Sequence, residues 1–580
     1  MQRSVVLGLL ALALSCGSSE RSGFDDQQSG TDPSGGPNAG AFEKDGGGAE
    51  GTPLSCKGLS VGTKSSAGCD YYTVTPDVIP DGAGACFAAF ITNTSNESVS
   101  VSVDYGGQTL DVSKFAYIPK GTGQSTTYTP IGAGAQIPAG EVAILFLNRK
   151  PGSNGTPFPI PGGIGLDFNC PKGVTPAISD SDTAFHGTGV GKAFHIATSA
   201  AVVAYDIYPY GGGASALTSA TLLLPTTSWD NNYVAVDAYG GGAAAAGIAA
   251  GSPFVQIVAR QDNTEITINP TNDIAGGNNV GGSPKGQAAT YRIQKGEVLQ
   301  FSQPAELIGS IIQSNAPVGV WGGKTALGIQ ACCDDSGHQQ IPPVRALGNE
   351  YVLVRYRNRY EGQEETPPWR IVGAVDGTTL TWSPSAPSGA PTTLNRGEVK
   401  EFAAAGPFVV KSQDPKHPFY VSAHMTGAGV YDKNEDDGRG DAEFVNVVAA
   451  GEYLPKYTFF TDPTYPETNL VIIRQKGKDG NFADVNLDCA GKLGGWLPVG
   501  DYEYTRIDLV RHNFAPQGNC NNGRHTIESA NPFGLTVWGW GSAETGAMGA
   551  GFYSQYVSYA YPGGANVEPI NDVVIPPVVK

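Results

Sequence analysis

The stretch Gly309-Ser310-Ile311-Ile312-Gln313-Ser314-Asn315-Ala316-Pro317-Val318-Gly319-Val320-Trp321-Gly322 decides how this chain is read. Apolar residues run into a polar corner, Ser-Asn-Ala-Pro, and out again to Trp-Gly. Ser and Asn side chains bond nearby backbone and Pro fixes its own φ, so the stretch predicts two short strands around a turn. The phrase returns as Val409-Val410-Lys411-Ser412-Gln413-Asp414-Pro415 with Pro418-Phe419-Tyr420-Val421, and as Ile527-Glu528-Ser529-Ala530-Asn531-Pro532-Phe533 with Val537-Trp538-Gly539. A fainter copy is Phe194-His195-Ile196-Ala197-Thr198-Ser199-Ala200-Ala201-Val202. A phrase written four times is architecture before it is chemistry.

Three further phrases keep a fixed order around it. Aromatic-led strands begin at Tyr233, Tyr351 and Tyr457, each shortly after a Pro. Hairpins are predicted where Phe254-Val255-Gln256-Ile257-Val258-Ala259 turns at Asp262-Asn263 into Glu265-Ile266-Thr267-Ile268, and where Trp369-Arg370-Ile371-Val372 turns at Asp376-Gly377 into Thr379-Leu380-Thr381-Trp382,. An earlier one joins Phe90-Ile91 to Val99-Ser100-Val101. The last phrase is Gly296-Glu297-Val298, echoed as Gly397-Glu398-Val399 and more weakly at Gly140 and Gly500. The repeat is about 100–115 residues long and offers six or seven short strands. That predicts an all-β chain of tandem, sandwich-like antiparallel modules, with a β-propeller-like closed array as the alternative. The modules expected are residues 56–217, with a long insertion near 147–190, then 218–335, 336–445 and 446–567, followed by a C-terminal tail at 568–580.

Composition agrees. Among 580 residues are 80 Gly and 41 Pro, too many breakers for long helices, while 40% apolar content is too high for a disordered chain,. A net charge of −18 argues against nucleic acid as a partner, since phosphate backbones need clustered Lys and Arg,.

The first residues speak to compartment. Arg3 precedes an apolar run over residues 5–14 that is too short to span a bilayer as a mature helix, so residues 1–15 read as a signal peptide,. Leu12-Ala13-Leu14-Ser15-Cys16 resembles a bacterial lipobox, which makes Cys16 the lipidation candidate; Gly17 after it favours the outer membrane. Residues 16–55, rich in Gly, Ser and Asp, read as a disordered tether,. Eight cysteines remain, an even number that fits disulfides in an exported protein,. The expected pairs are Cys489 with Cys520, Cys86 with Cys170 and Cys56 with Cys69. Adjacent Cys332 and Cys333 make either a rigid vicinal turn or two distant bridges; a metal reading would enlist them with Asp334 and His338.

Other chemistry is thin. The seven His are scattered without paired metal-ligand spacing, and no nucleophile elbow, phosphate loop or His-Glu-x-x-His motif is present,. No cofactor is expected, with Ca²⁺ as the one exception: Asp432, Asn434, Asp436 and Glu443 fall at positions 1, 3, 5 and 12 of a calcium-type loop, although Asp437 occupies position 6 where Gly is needed,. Arg439-Gly440-Asp441 is an integrin-type tripeptide. Arg355, Arg357 and Arg359 read as a basic, solvated strand edge.

With the repeats written out, the order from Ala193-Phe194-His195-Ile196 through Leu222-Leu223-Leu224-Pro225, Asp262-Asn263-Thr264 and Gly296-Glu297 to Gly309-Ser310-Ile311-Ile312 resembles the IgGFc-binding protein N-terminal domain. Ala331-Cys332-Cys333-Asp334 followed by Gln340-Ile341-Pro342-Pro343 is similar to it too. Trp538-Gly539-Trp540-Gly541 and Tyr559-Ala560-Tyr561-Pro562 look like the close of its bacterial, myxobacterial-type lipoprotein members. In that family a Pro usually follows the Gly-Asp at 440–441, so the Arg-Gly-Asp looks incidental. The resemblance implies a non-enzymatic binding or adhesion module at the outer membrane or cell surface, held to the membrane by a lipid anchor and facing an extracellular protein or glycan. The alternatives are an envelope or matrix component without a specific ligand, and an extracellular polymer hydrolase.

Overall fold

The structure is a computed structural model, which describes residues 56, 64–150, 168–212, 215–240, 251–432, 436–546 and 552–577. The expected signal peptide, Cys16 and the expected tether lie outside the described residues, as does part of the expected insertion. The described chain is all-β: 35 strands in five antiparallel sheets and, between them, only 3₁₀ turns. Three of the sheets, of ten, eight and nine strands, curl into half-barrels; two four-stranded sheets take the remaining place.

The opening stretch corrects its own prediction. Residues 311–329 form one strand, Ile311–Ile329, which bends at the polar corner without reversing. Its first half pairs with Asp230–Val234 and Thr264–Asn269; its second half pairs with Pro253–Ala259 and Ala331–Ile341. A strand that changes partners at a bend is how one sheet turns a corner. Residues 315–317 pair with nothing in the ladder, so Pro317 costs no hydrogen bond there,. Ser314 Oγ donates to the Ala316 carbonyl at 2.6 Å and fixes the bend. Phe194–Tyr208 and Gly523–Trp540 are bent strands of the same kind, with Thr198 Oγ1 donating to the Ala200 carbonyl at 2.8 Å. Only in the third module does the corner break the strand, into Phe408–Ser412 and Phe419–Met425.

The expected hairpins are also corrected. Pro253–Ala259 and Thr264–Asn269 are joined by a turn at Asn263 (φ +56°), yet they pair with opposite halves of the bent strand, as an arch. Pro368–Gly373 and Thr378–Ser383 do the same, as do Phe87–Asn93 and Val99–Tyr105. Burial gives the reason. Pro253–Ala259 is buried along its whole length, so both its faces are covered, whereas Thr264–Asn269 alternates and covers only one. The Gly of the last phrase has positive φ in every copy, at Gly140, Gly296, Gly397 and Gly500,.

Four core clusters hold the modules, and each joins at least two of them. Trp229, Val258 and Trp321 of the second module pack into the first, around Phe194 and Ile196. Val372, Tyr420 and Phe444 of the third join Ile257 and Ile312 of the second. Val471, Ile473 and Trp538 of the fourth join Leu380 and Val410 of the third. Phe90, Ile144 and Tyr205 of the first complete the circuit against Phe459 and Ile527 of the fourth. Sheets therefore face one another as in a sandwich, while the modules close into a ring as in a propeller.

One strand from each of four sheets lines the middle: Ser219–Leu223, Ala331–Ile341, Glu443–Asn446 and Ser558–Pro562, each lying against the next and the last against the first. Side chains knit them. Gln340 N–H donates to Thr221 Oγ1 at 2.8 Å, Asn446 Nδ2 to the Gln340 carbonyl at 2.8 Å, Ser558 Oγ to the Asp441 carbonyl at 3.0 Å, and Thr218 Oγ1 to the Ser558 carbonyl at 2.6 Å. The outer seam is closed where Ser66 N–H donates to the Ala565 carbonyl (2.8 Å) and Val567 N–H to the Lys64 carbonyl (2.9 Å).

Candidate binding site at the junction of the four modules

The ring axis is filled by polar side chains. Asp335 accepts from Thr218 N–H at 3.0 Å and from Ser558 N–H and Oγ, both at 3.1 Å. Glu443 accepts from Ser219 Oγ at 3.1 Å and Phe444 N–H at 2.8 Å. Gln339 Nε2 spans the axis, donating to the Ala220 carbonyl at 2.7 Å and the Ala560 carbonyl at 3.1 Å. Burial pushes both carboxyls well above the ordinary carboxylate range, and Glu443 raises Asp335 further. Held neutral, the two acids act as hydrogen-bonding fill between strands.

A cavity of about 50 Å³ opens where the four inner strands end. All four inner strands and the residues just after them contribute to its wall: Leu222 and Leu224, then Gln340 and Pro342, then Asn446, Val447 and Val448, then Pro562, Ala565 and Asn566. The aliphatic residues follow from the alternation that buries each strand end, and the polar ones are committed to the frame. Gln340 Oε1 accepts from Leu224 N–H at 2.6 Å, and Asn446 Oδ1 accepts from Tyr420 Oη at 2.6 Å.

The exception is Glu452. It ends the 3₁₀ turn Ala450–Glu452, is 2% exposed, and neither carboxyl oxygen makes a well-formed hydrogen bond, the Glu568 amide interacting only weakly with it. Burial pushes its pKa up to about 9, the Glu568 amide offsetting part of this and the Glu568 charge adding to it. Sequence reading passed over Glu452. The available signal was a lone acid in the apolar run Val447-Val448-Ala449-Ala450-Gly451-Glu452-Tyr453-Leu454.

The residues singled out from sequence fall elsewhere. Cys56 is bonded to Cys69, Cys86 to Cys170 and Cys489 to Cys520. The side chains of Cys332 and Cys333 lie outside the described residues; of their proposed co-ligands, Asp334 and His338 are buried, His338 facing Asp206 at 3.6 Å. Asp488, Cys489 and His525 lie close together, but the Cys489 sulfur is in a disulfide and is no metal ligand,.

In the calcium-type loop, Asp432 accepts from the amides of Asp437 (2.8 Å) and Gly438 (3.0 Å), the turn falling at Gly438 with φ +54°. Asp436 is exposed, Asn434 is outside the described residues, and Glu443 is on the ring axis. Asp432 and Glu443 thus serve different parts of the fold.

The Arg-Gly-Asp tripeptide is buried. Arg439 pairs with Glu467, with Glu544 at 2.5 Å and with Asp437 at 2.9 Å, and Asp441 is almost wholly covered. Arg355, Arg357 and Arg359 are not a solvated strand edge either. They follow the strand Glu350–Leu353 and turn inward, Arg359 onto fully buried Glu365 at 3.1 Å and Arg357 onto Glu467 and Asp508. Charge on a short segment reads as surface until a neighbouring module supplies the counter-ions.

One pair of acids does meet between the second and third modules. Asp237 and Glu306 are in hydrogen-bond contact, with Arg370 Nη1 at 2.7 Å from Glu306. Burial and Glu306 push Asp237 up, whereas burial at Glu306 is outweighed by Arg370, Asp237 and Lys324 together, which pull it down. Leu307 and Ile308 amides occupy the other Asp237 oxygen at 3.0 and 3.2 Å.

Among the described residues no helix is long and apolar enough to cross a membrane, and the three disulfides fit an oxidising, extracellular setting,. Residues 219–539, more than half of the chain, match the family described as IgGFc binding protein. No curated protein and no solved structure matches the chain. The matched span begins at the first inner strand and ends in the last bent strand, so it takes in the second, third and most of the fourth module, and on it the chain belongs to the IgGFc binding protein family.

Proposed function

We propose that this protein is a non-enzymatic binding or adhesion module, a lipoprotein carried on the outer membrane or cell surface by a lipid on Cys16 and a Gly-rich tether. Its partner is an extracellular protein or glycan. The observation that carries the binding reading is the junction pocket, a concave site built where the four inner strands end, with one buried acid in a mostly aliphatic wall. Ligand sites have this make-up: apolar walls and a few placed polar groups. The family's name describes binding to immunoglobulin Fc, which makes immunoglobulin one ligand to try.

The hydrolase reading would draw on Asp237 and Glu306. Glycoside hydrolysis holds its two carboxyls about 5–9.5 Å apart to admit a nucleophile or water, whereas these touch and share Arg370,. Their arrangement is that of a buried ionic cluster.

The test is a binding screen of the purified full chain against a glycan array and an immunoglobulin panel. A specific ligand is expected, and a blank across both would leave the envelope-component reading in its place. Metabolic labelling with a fatty acid, lost in Cys16→Ala, tests the anchor.

A further inference from the structure

The Glu452 carboxyl holds nothing in the frame beyond a weak interaction with the Glu568 amide. A buried carboxyl without a well-formed hydrogen bond is costly, and Gln or an aliphatic residue would be cheaper there,. Its surroundings narrow what it awaits. A divalent cation would want six or more oxygens, yet the nearby amide oxygens of Gln340 and Asn446 already accept hydrogen bonds and the rest of the wall is largely aliphatic,. A sugar would want more polar partners and more room. The volume of about 50 Å³ holds roughly four water-sized groups, about one short aliphatic chain with its head group,.

We propose that the junction pocket receives a primary ammonium group on a short aliphatic stem, as presented by a lysine side chain of a partner protein, with Glu452 as its counter-ion. This rests on the binding-module reading. An ammonium brings three donors to a carboxylate that has only the weak Glu568 amide interaction, and its methylene stem covers the aliphatic wall,. Half-buried Val447, Val448, Ala565 and Asn566 form the more accessible part of that wall.

The exchange is a proton balance. In the empty pocket at neutral pH, burial keeps Glu452 protonated. When R–NH₃⁺ enters, the carboxyl O–H proton leaves to solvent and the carboxylate pairs with the ammonium, so one proton is released per ligand. The other titratable groups coupled to Glu452 are Glu568 and Tyr351, and neither supplies a competing positive charge.

The test titrates the full chain with n-butylammonium at pH 7 by calorimetry in two buffers of different ionisation enthalpy, with 1-butanol as the uncharged control. Saturable binding with release of about one proton is expected, at least tenfold tighter than for 1-butanol, and weakened at least tenfold in Glu452→Gln while that variant keeps its thermal transition. Butylammonium that binds no better than butanol, or equally well to E452Q, overturns the proposal. So does a ligand from the array or immunoglobulin panel whose binding neither butylammonium nor E452Q disturbs; that outcome leaves the binding module intact. A panel with no ligand at all sinks the broader reading instead.

Discussion

The hydroxyl of Tyr351 donates to the main-chain carbonyl of Phe419 at 2.6 Å, tying the aromatic-led strand to the residue just past the corner. It also accepts from Gly348 N–H, three residues before it, at 2.9 Å. The other modules repeat the latch: Tyr71 donates to Val202 and Tyr233 to Val318, each at 2.7 Å, and Tyr457 donates to Phe533. Asp230 and Leu454 amides complete it for Tyr233 and Tyr457 at 3.1 and 2.9 Å. A repeated bent strand thus carries a repeated clamp.

Removing one clamp leaves a buried carbonyl and a buried amide without partners. Tyr351→Phe is expected to cost about 1–3 kcal/mol in urea unfolding, whereas Tyr291→Phe, whose hydroxyl bond to Gly281 is at the surface, should cost well under 1 kcal/mol,. Equal effects from the two would mean the latch is decorative.

His195 stacks on Tyr72 at 4.6 Å and sits between Asp70 and Asp104. Burial opposes its charge, but the two carboxylates outweigh burial and raise its pKa to about 9. The folded state therefore binds this proton more tightly than the unfolded chain, whose His titrates near 6.5. Its contribution is complete below about pH 6.5 and fades as pH rises toward 9,. Urea midpoints measured from pH 6 to 9.5 should fall more steeply for the wild type than for His195→Asn; parallel slopes would contradict the assignment.

Cys489 and Cys520 close a loop with a sequence separation of 31. Chain-entropy arguments give about 4 kcal/mol for a loop of that size. Cys489→Ala/Cys520→Ala should lose stability of that order, read as a lower unfolding midpoint, and the same loss should appear in wild type once reducing agent cleaves this bridge.

Arg439 shares the buried Glu467 with Arg357, and neutralising it would leave that acid with one counter-ion in place of two. Arg439→Ala should destabilise by roughly 2–3 kcal/mol, less than the roughly 3–5 kcal/mol of stranding a buried charge outright, because Arg357 still pairs with Glu467,. An adhesive Arg-Gly-Asp would behave otherwise, losing cell attachment with its melting temperature unchanged.

Much of the molecule was legible in the chain itself. Gly, Pro and short β-branched runs determine an all-β protein; four copies of the corner phrase determine four modules; Tyr233, Tyr351 and Tyr457 mark the clamp before its partners are known. These are local signals, set by turn chemistry and by which residues avoid water. Pairing is different, because alternation tells which face of a strand is buried but not what buries it. Pro253–Ala259 and Thr264–Asn269 look like a hairpin by spacing and become an arch because the bent strand Ile311–Ile329 takes one on each half. The closed ring, the burial of Arg439 among three carboxylates and the lone acid of Glu452 were decided only when modules far apart in sequence came together, since a charge's surroundings are set by its spatial neighbours and not its sequence neighbours,.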